Sequence, residues 1–265
     1  MAFSSITQSK LKHKISIITP CYNSSDFILE TIKSVLNQTY THWEWWIVDD
    51  NSSDDSVEKI RQNPDPRINL IALDENVGAA EARNIGIKNA TGRFITFLDS
   101  DDVWLPHFLE TSVQFLLENE EELVYSSYKR HDEGLNPLLE DFIAEDNITF
   151  DRILYNCPIP MLTAMYDSSR IGKVLIPEVD MREDYAMWLE ILKKTPRARA
   201  IKEPLGIYRI RKSSYSRNKF KILRKQFSVY SDYLKLSLPQ STYYTLHWAL
   251  NGMKKYEKFK LRGNR

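Results

Sequence analysis

The chain has 265 residues but only two cysteines, Cys21 and Cys157, far apart in sequence. That excludes a disulfide framework and fits a reducing compartment. No run of 18 apolar residues occurs, so no membrane-spanning helix is expected. The stretch from Met1 to Lys14 is polar and has no apolar signal core, so the protein is expected to stay in the cytoplasm. No two of the histidines, His13, His42, His107, His131 and His247, stand at metal-ligand spacing, which argues against zinc. There is no internal repeat and no low-complexity segment.

Apolar residues make up 42 % of the chain, enough for a real core. Net charge is zero but unevenly spread. Residues 201–265 hold 16 Lys/Arg against 3 Asp/Glu, leaving the rest acidic by the same margin. A basic tail on an acidic body suggests an anionic surface as partner, either nucleic acid or acidic lipid. No nucleic-acid module accompanies the tail, so nucleic acid is set aside.

Strand and helix signals alternate over the first hundred residues. Ile15–Thr19 is a short apolar run stopped by Pro20, and Trp43–Val48, Ile68–Leu73 and Phe94–Leu98 are further apolar or β-branched runs. Between them lie helical patterns to about Gln38, from Asp54 or Asp55 to Arg61, and over Gly78–Ala90; another helix opens at Pro106. Four alternations predict a doubly wound, mostly parallel α/β sheet. Leu123–Ser126 reads as a strand, Arg182–Lys194 as a helix, and the chain from 216 on as basic, aromatic helices. The expected organisation is an N-terminal extension over 1–13, a catalytic domain over 14–215 with halves 14–105 and 106–215, and a tail over 216–265.

In open α/β sheets, ligands bind beyond the carboxyl ends of the strands. Three such ends carry polar chemistry: Thr19 to Asn23, Asp49-Asp50, and Asp99-Ser100-Asp101-Asp102. Two carboxylates one residue apart on extended chain point the same way, and such crowding is relieved by a cation. An oxygen-only donor set selects Mg²⁺ or Mn²⁺, which usually also takes phosphate oxygens. The bland alternative is a solvated acidic loop. The wholly apolar strand before it, and Trp104-Leu105-Pro106 after it, favour a site.

The runs Ile17-Ile18-Thr19-Pro20-Cys21-Tyr22-Asn23, Ser34 to Tyr40, Val48 to Asp54, Asn76 to Asn84 and Phe97 to Asp102, in that order, resemble the family 2 glycosyltransferases of GT-A fold. The likeness reaches through Tyr208-Arg209-Ile210-Arg211 and Leu250-Asn251-Gly252, and is nearest to bacterial surface-polysaccharide enzymes of the teichuronic-acid type. It implies a UDP-sugar donor and a lipid-linked glycan acceptor, since such enzymes extend capsule or lipopolysaccharide chains. Thr19, Pro20 and Tyr22 would line the base and ribose pocket, Asp50 would accept from the base, and Arg83 would meet the base or diphosphate. Asp99 and Ser100 would touch the donor, and Asp101 would hold the metal with Asp99. Asp184, with Glu183 second, matches the base that deprotonates the acceptor hydroxyl. Arg211 stands near where many relatives have histidine; arginine cannot ligate a metal, so Arg209 or Arg211 would clamp phosphate instead. Trp104, His131 and Trp188 are acceptor-side candidates.

Two other classes stay open. One is a catalytically silent nucleotide-sugar-binding or scaffold subunit of the same fold. The other is a nucleotidyltransferase, disfavoured because the N-terminal half has no Gly-rich phosphate loop. The tail, with Lys219, Lys221, Arg224, Lys225, Lys235, Lys254, Lys255, Lys258, Lys260 and Arg262 among aromatics, suits peripheral binding to an anionic leaflet.

Overall fold

The computed structural model describes residues 13–179, 183–211 and 219–260, with the side chains of 219–221 and 252–260 left out of account. Strand β1 (Ile15–Cys21) leads into helix α1 (Ile28–Leu36), β2 (Trp43–Asp49), α2 (Ser56–Arg61), β3 (Ile68–Ala72), α3 (Ala79–Asn89) and β4 (Phe94–Phe97). A two-residue strand β5 (Val103–Trp104), helix α4 (Phe108–Asn119), β6 (Leu123–His131), β7 (Pro137–Phe142) and the short helix α5 (Phe150–Ile153) follow. Then come β8 (Met165–Asp167), α6 (Ser168–Ile171), α7 (Glu183–Leu192) and β9 (Arg199–Arg209). The tail is α8 (Lys219–Ser228), a π-helical turn (Val229–Tyr233) and α9 (Leu238–Lys260).

The strands form one sheet in the order β3-β2-β1-β4-β8-β6-β9-β5, with β7 added beside β6. The expected parallel half is there: β3, β2, β1 and β4 run parallel. The second half departs from the doubly wound expectation. β8 is antiparallel to both β4 and β6, whereas β9 is parallel to β6. β7, β8 and β9 had no clear period in the sequence. β7 is exposed along almost its whole length, and β9 breaks register with β6 around Ser127, so neither alternates cleanly.

All seven residues of β1 are buried, as expected for a strand covered on both faces. Pro20 sits near its end, where the missing N–H matters little because pairing with β4 stops at Ile18↔Phe97. Beyond that pair β1 and β4 part. The strand order reverses at this point, with β2 and β3 on one side and β4 on the other, and a crevice opens at the carboxyl ends. Helix α3 packs closely under β1. A Cβ on Gly86 would lie 2.7 Å from Ile18 Cγ2, so glycine is required although it weakens the helix by about 1 kcal/mol relative to alanine.

The tail is not detached from the domain. Tyr230 is buried in the main core cluster and donates to the Leu154 carbonyl at 2.5 Å, and Tyr233 donates to Glu190. The expected N-terminal extension up to residue 12, Arg182 of the expected helix, Lys212 to Ser214 of the expected loop, and Arg262 lie outside the described residues.

At the amino ends of the strands, Glu44 is nearly buried. It receives Ser16 Oγ at 2.6 Å, the Thr91 N–H at 2.6 Å and Lys14 Nζ at 2.5 Å. Burial alone would raise its pKa, but Lys14, Ser16 and Thr91 together win and pull it down to about 2. A depressed carboxylate adds stability above its unfolded pKa, lost as pH falls through the folded value. We expect Glu44→Gln to flatten the loss of stability between about pH 5 and pH 2, measured as urea midpoints across that range. An acid limb as steep as that of the wild type would refute this role.

Candidate active site

The loops at the crevice are tied to one another before any ligand arrives. Asn23, at φ 47°, accepts the Ser53 N–H at 2.9 Å through Oδ1, while its own N–H donates to Ser52 Oγ at 2.9 Å. The loops after β1 and β2 are thereby locked together, leaving Tyr22 exposed at the rim. Asp50 is buried and receives the backbone N–H groups of Val77 and Gly78 at 2.7 and 2.9 Å. Its carboxylate therefore fixes the turn that starts α3, whose N-terminal Gly78 has φ 87°. Each oxygen keeps a second lone pair for a ligand.

That turn aims Arg83 from α3 at the third loop. Its Nη2 donates to Asp99 Oδ1 at 2.5 Å, and its buried Nε has no partner among the described residues. Burial opposes the charge of Arg83, but Asp99, and further off Glu183 and Asp184, hold its pKa up. The two acids at the start of α7 thus lie within the electrostatic reach of the arginine that grips Asp99. The next residue, Asn84, exchanges hydrogen bonds with Ile176: its Nδ2 donates to the carbonyl at 3.0 Å and its Oδ1 accepts the N–H at 2.7 Å. One helix therefore positions both Arg83 and the segment leading towards α7.

The acidic loop itself is crowded. Burial, then the Asp99 charge, raises the pKa of Asp101. Burial, then Asp101 and Asp99, raises that of Asp102 well above the usual range. Thr31 on α1 pins the loop by facing two carbonyls, Ser100 at 3.0 Å and Asp102 at 2.8 Å. Arg211 Nη1 lies 3.2 Å from Asp101 Oδ2. Among the described residues, no group of three or more His, Cys, Asp and Glu side chains is placed to hold a metal ion.

Several expected contacts are corrected by burial. Trp104 is 2 % exposed and donates its indole N–H to the Leu162 carbonyl at 2.7 Å; Trp188 is fully buried against Phe97. Neither ring presents a face to a sugar. The Thr19 hydroxyl is buried and receives the Trp45 indole N–H at 2.8 Å, and Ser100 Oγ sits 2.6 Å from Ser24 Oγ. Both hydroxyls face the protein interior, so at these positions only backbone is left for a donor. Arg209 is 2 % exposed and its guanidinium is spent: Nε donates to the Asp101 carbonyl at 2.6 Å, Nη1 to the Glu133 carbonyl, and Nη2 to Glu30 at 2.5 Å. Its backbone N–H donates to Asp102 at 2.8 Å. It is a clasp on the acidic loop and not a free phosphate clamp. Arg209 and Arg211 both lie over the Phe27 ring, at 4.7 and 5.1 Å. His131 has its Nδ1 2.9 Å from the Leu135 carbonyl, in the turn before β7. Pro20 is buried in β1.

Sequence reasoning passed over Phe27, Glu30 and Glu133. Only the distance in sequence between Glu30 and Arg209 hid them; no local motif links such residues.

The order of these loops, their acids and the sheet that bears them match a known pattern. Residues 16–162 match the model of the family described as glycosyl transferase family 2. The chain belongs to that family. A Bacillus subtilis glycosyltransferase assigned to teichuronic acid biosynthesis, TuaG, is 37 % identical over 92 % of this chain and 98 % of its own length. An Escherichia coli UDP-Glc:α-D-GlcNAc-diphosphoundecaprenol β-1,3-glucosyltransferase, WfgD, is 39 % identical over 91 % of this chain and 94 % of its own. In fold, the chain is similar to S. aureus TarS 1-349 crystallised with UDP-GlcNAc, with a TM-score of 0.70 at 20 % identity, over 89 % of this chain and 71 % of that one. The family 2 architecture is therefore the GT-A sheet with its flanking helices.

Because Arg209 serves buried acceptors on two loops, Arg209→Met should cost about 2–4 kcal/mol, as orphaned buried polar groups do. Arg211→Met, with a more open side chain, should cost less than about 1 kcal/mol. Urea denaturation of both variants checks this; equal losses would overturn the assignment.

Proposed function

We propose that this family 2 enzyme moves a hexose from a UDP-sugar, with inversion, to a hydroxyl of a lipid-linked glycan in the making of a bacterial surface polysaccharide. The observation that supports the reading is the Arg83–Asp99 ion pair just past β4, with an arginine that also feels the charges of Glu183 and Asp184. The names of the teichuronic-acid and diphosphoundecaprenol relatives support the acceptor class.

The residues divide the work as follows. Tyr22 and the backbone of Thr19 and Pro20 border the nucleoside, and Asp50 keeps a lone pair for the base. Arg83, Asp99 and Arg211 face the diphosphate. Asp99 and Asp101 offer an all-oxygen pair, crowded enough to suit a hard divalent cation, and they would hold it. Mg²⁺ or Mn²⁺, when bound there, offsets the charge that builds on the departing diphosphate. Asp184 takes the proton of the acceptor hydroxyl while its oxygen bonds to the anomeric carbon and the bond from that carbon to the diphosphate oxygen breaks; Glu183 is the second candidate. Asp102, buried and accepting the Arg209 N–H at 2.8 Å, holds the loop.

The enzyme would then work at the inner face of the cytoplasmic membrane. Described residues contain no helix long and apolar enough to cross a bilayer. Support for surface binding comes from α9, which exposes Leu238, Tyr243, Leu246 and Leu250 next to a lysine-rich sequence.

Three measurements test the reading. In a panel of UDP-sugars read by UDP release, with a lipid-linked acceptor and with Mn²⁺ added or chelated, one donor should stand out and chelation should abolish release. Asp184→Asn should lower turnover by about 10²-fold or more while UDP still binds; turnover within a few-fold of the wild type would remove Asp184 from this role. Sedimentation with phosphatidylglycerol vesicles at low salt should carry the enzyme down, and salt should release it; protein left in the supernatant would defeat the surface assignment.

A further inference from the structure

Beside the acidic loop lies an aromatic face that none of the roles above uses. In the register of β9, β6 and β7, Gly206 stands opposite Tyr128 and Tyr128 opposite Phe142; in the next row Tyr208 stands opposite Arg130 and Arg130 opposite Leu139. Paired residues on neighbouring strands share a face. The rings confirm it: Tyr128 stacks on Phe142 at 4.7 Å between centroids, and Tyr208 meets Tyr128 edge-on at 5.8 Å.

Tyr208 is 40 % exposed, although the next residue, Arg209, and Leu205 just before are both sealed in the interior. An exposed ring packed edge-on against Tyr128, itself stacked on Phe142, is an open platform at a strand end with little side-chain entropy left to lose. The N–H of the next residue, Arg209, donates to Asp102 at 2.8 Å, which sets Tyr208 beside the acidic loop. Burial, then Asp102, Asp99, Tyr128 and Asp101, push its phenol pKa up. Tyr128 too is raised, to about 12, by burial and by Asp102, against the nearby Arg130. The two tyrosines therefore reach from the catalytic carboxylates out towards β7, where Leu138, Leu139 and Ile143 are exposed.

We propose that Tyr208, backed by Tyr128 and Phe142, is the stacking platform for the acceptor sugar. A sugar ring lying on Tyr208 has its hydroxyls near the loop that carries Asp99 and Asp101 and leaves its reducing-end substituent to run out along β7. The exposed leucines and Ile143 there suit an apolar aglycone. Stacking on an aromatic face suits the flat side of a pyranose, and the exposed apolar side chains of β7 beyond it favour the acceptor, which carries the apolar aglycone. The proposal rests on the glycosyl-transfer reading above and deepens it.

The test uses the full chain, UDP-glucose, and GlcNAc-α-diphosphate on a short alkyl chain, the truncated form of the acceptor that WfgD's name specifies. Tyr208→Ala should raise the acceptor KM about tenfold or more, the size of one lost aromatic contact, with kcat changed far less. Tyr208→Phe and Tyr208→Trp should restore KM to within about threefold, since a ring and not a hydroxyl is needed. The UDP dissociation constant, measured by calorimetry, should move less than about twofold in all three, which separates acceptor loss from misfolding. An unchanged acceptor KM in Tyr208→Ala overturns the platform alone, as does a parallel loss of UDP binding. A wild-type enzyme that transfers from no UDP-sugar overturns the functional reading first, and the platform with it.

Discussion

Three carboxylates in four residues, on a loop that burial deprives of water, repel one another, and the layout of the site follows from how that repulsion is met. Asp99, Asp101 and Asp102 follow an apolar strand with no room to spread. Each finds its partner on a different element. Arg83 comes from α3, Arg211 from the end of β9, and the Arg209 N–H from β9 itself. Thr31 on α1 adds hydrogen bonds to the same loop's carbonyls. The acidic loop is thus a junction through which the nucleotide half and the second half of the sheet are tied. Losing the buried Arg209 arm would leave its partners without compensation, a cost of about 2–4 kcal/mol, whereas the more open Arg211 arm holds the loop less tightly.

Much of the first half was legible because its physics is local. The apolar runs of β1, β2 and β4 are buried on both faces, and such strands announce themselves in sequence. The acids at their ends were equally visible. What was hidden depended on contacts across more than a hundred residues. Arg209 or Arg211 was read as a phosphate clamp because the run resembles the family's loop over the diphosphate; the closure of Arg209 by Glu30, Glu133 and Asp101 involves three separate segments. Trp104 and Trp188 were read as sugar platforms from their nearness in sequence to the acids, yet both side chains turn into the core. β7 and β8 escaped because one is almost wholly exposed and the other is three residues long, so neither alternates in a way that sequence can register. The helical, basic character of the tail was plain, but not that Tyr230 would anchor it in the core.

The aromatic face and the tail both belong to the second half of the chain. β9 carries Arg209 inward and Tyr208 outward on successive residues, so the strand that clasps the acids also shows a ring to solvent. Alternation along a strand makes such a division cheap. The tail adds packing from Tyr230 against Leu154 and exposes an apolar stripe further along. Both features lie in the half whose irregular sequence made it least readable.

Adjacent residues on α3 have separate clients. Arg83 grips the loop that would hold the leaving group, and Asn84 grips the strand-like segment at Ile176 that runs on to the helix of the candidate base. Gly86, a few residues on, lets the helix sit against Ile18 with no slack. The spacing between the acidic loop and the segment at Ile176 is therefore set by a single 11-residue helix rather than by the loops it touches. Those loops can drift in sequence without disturbing that span.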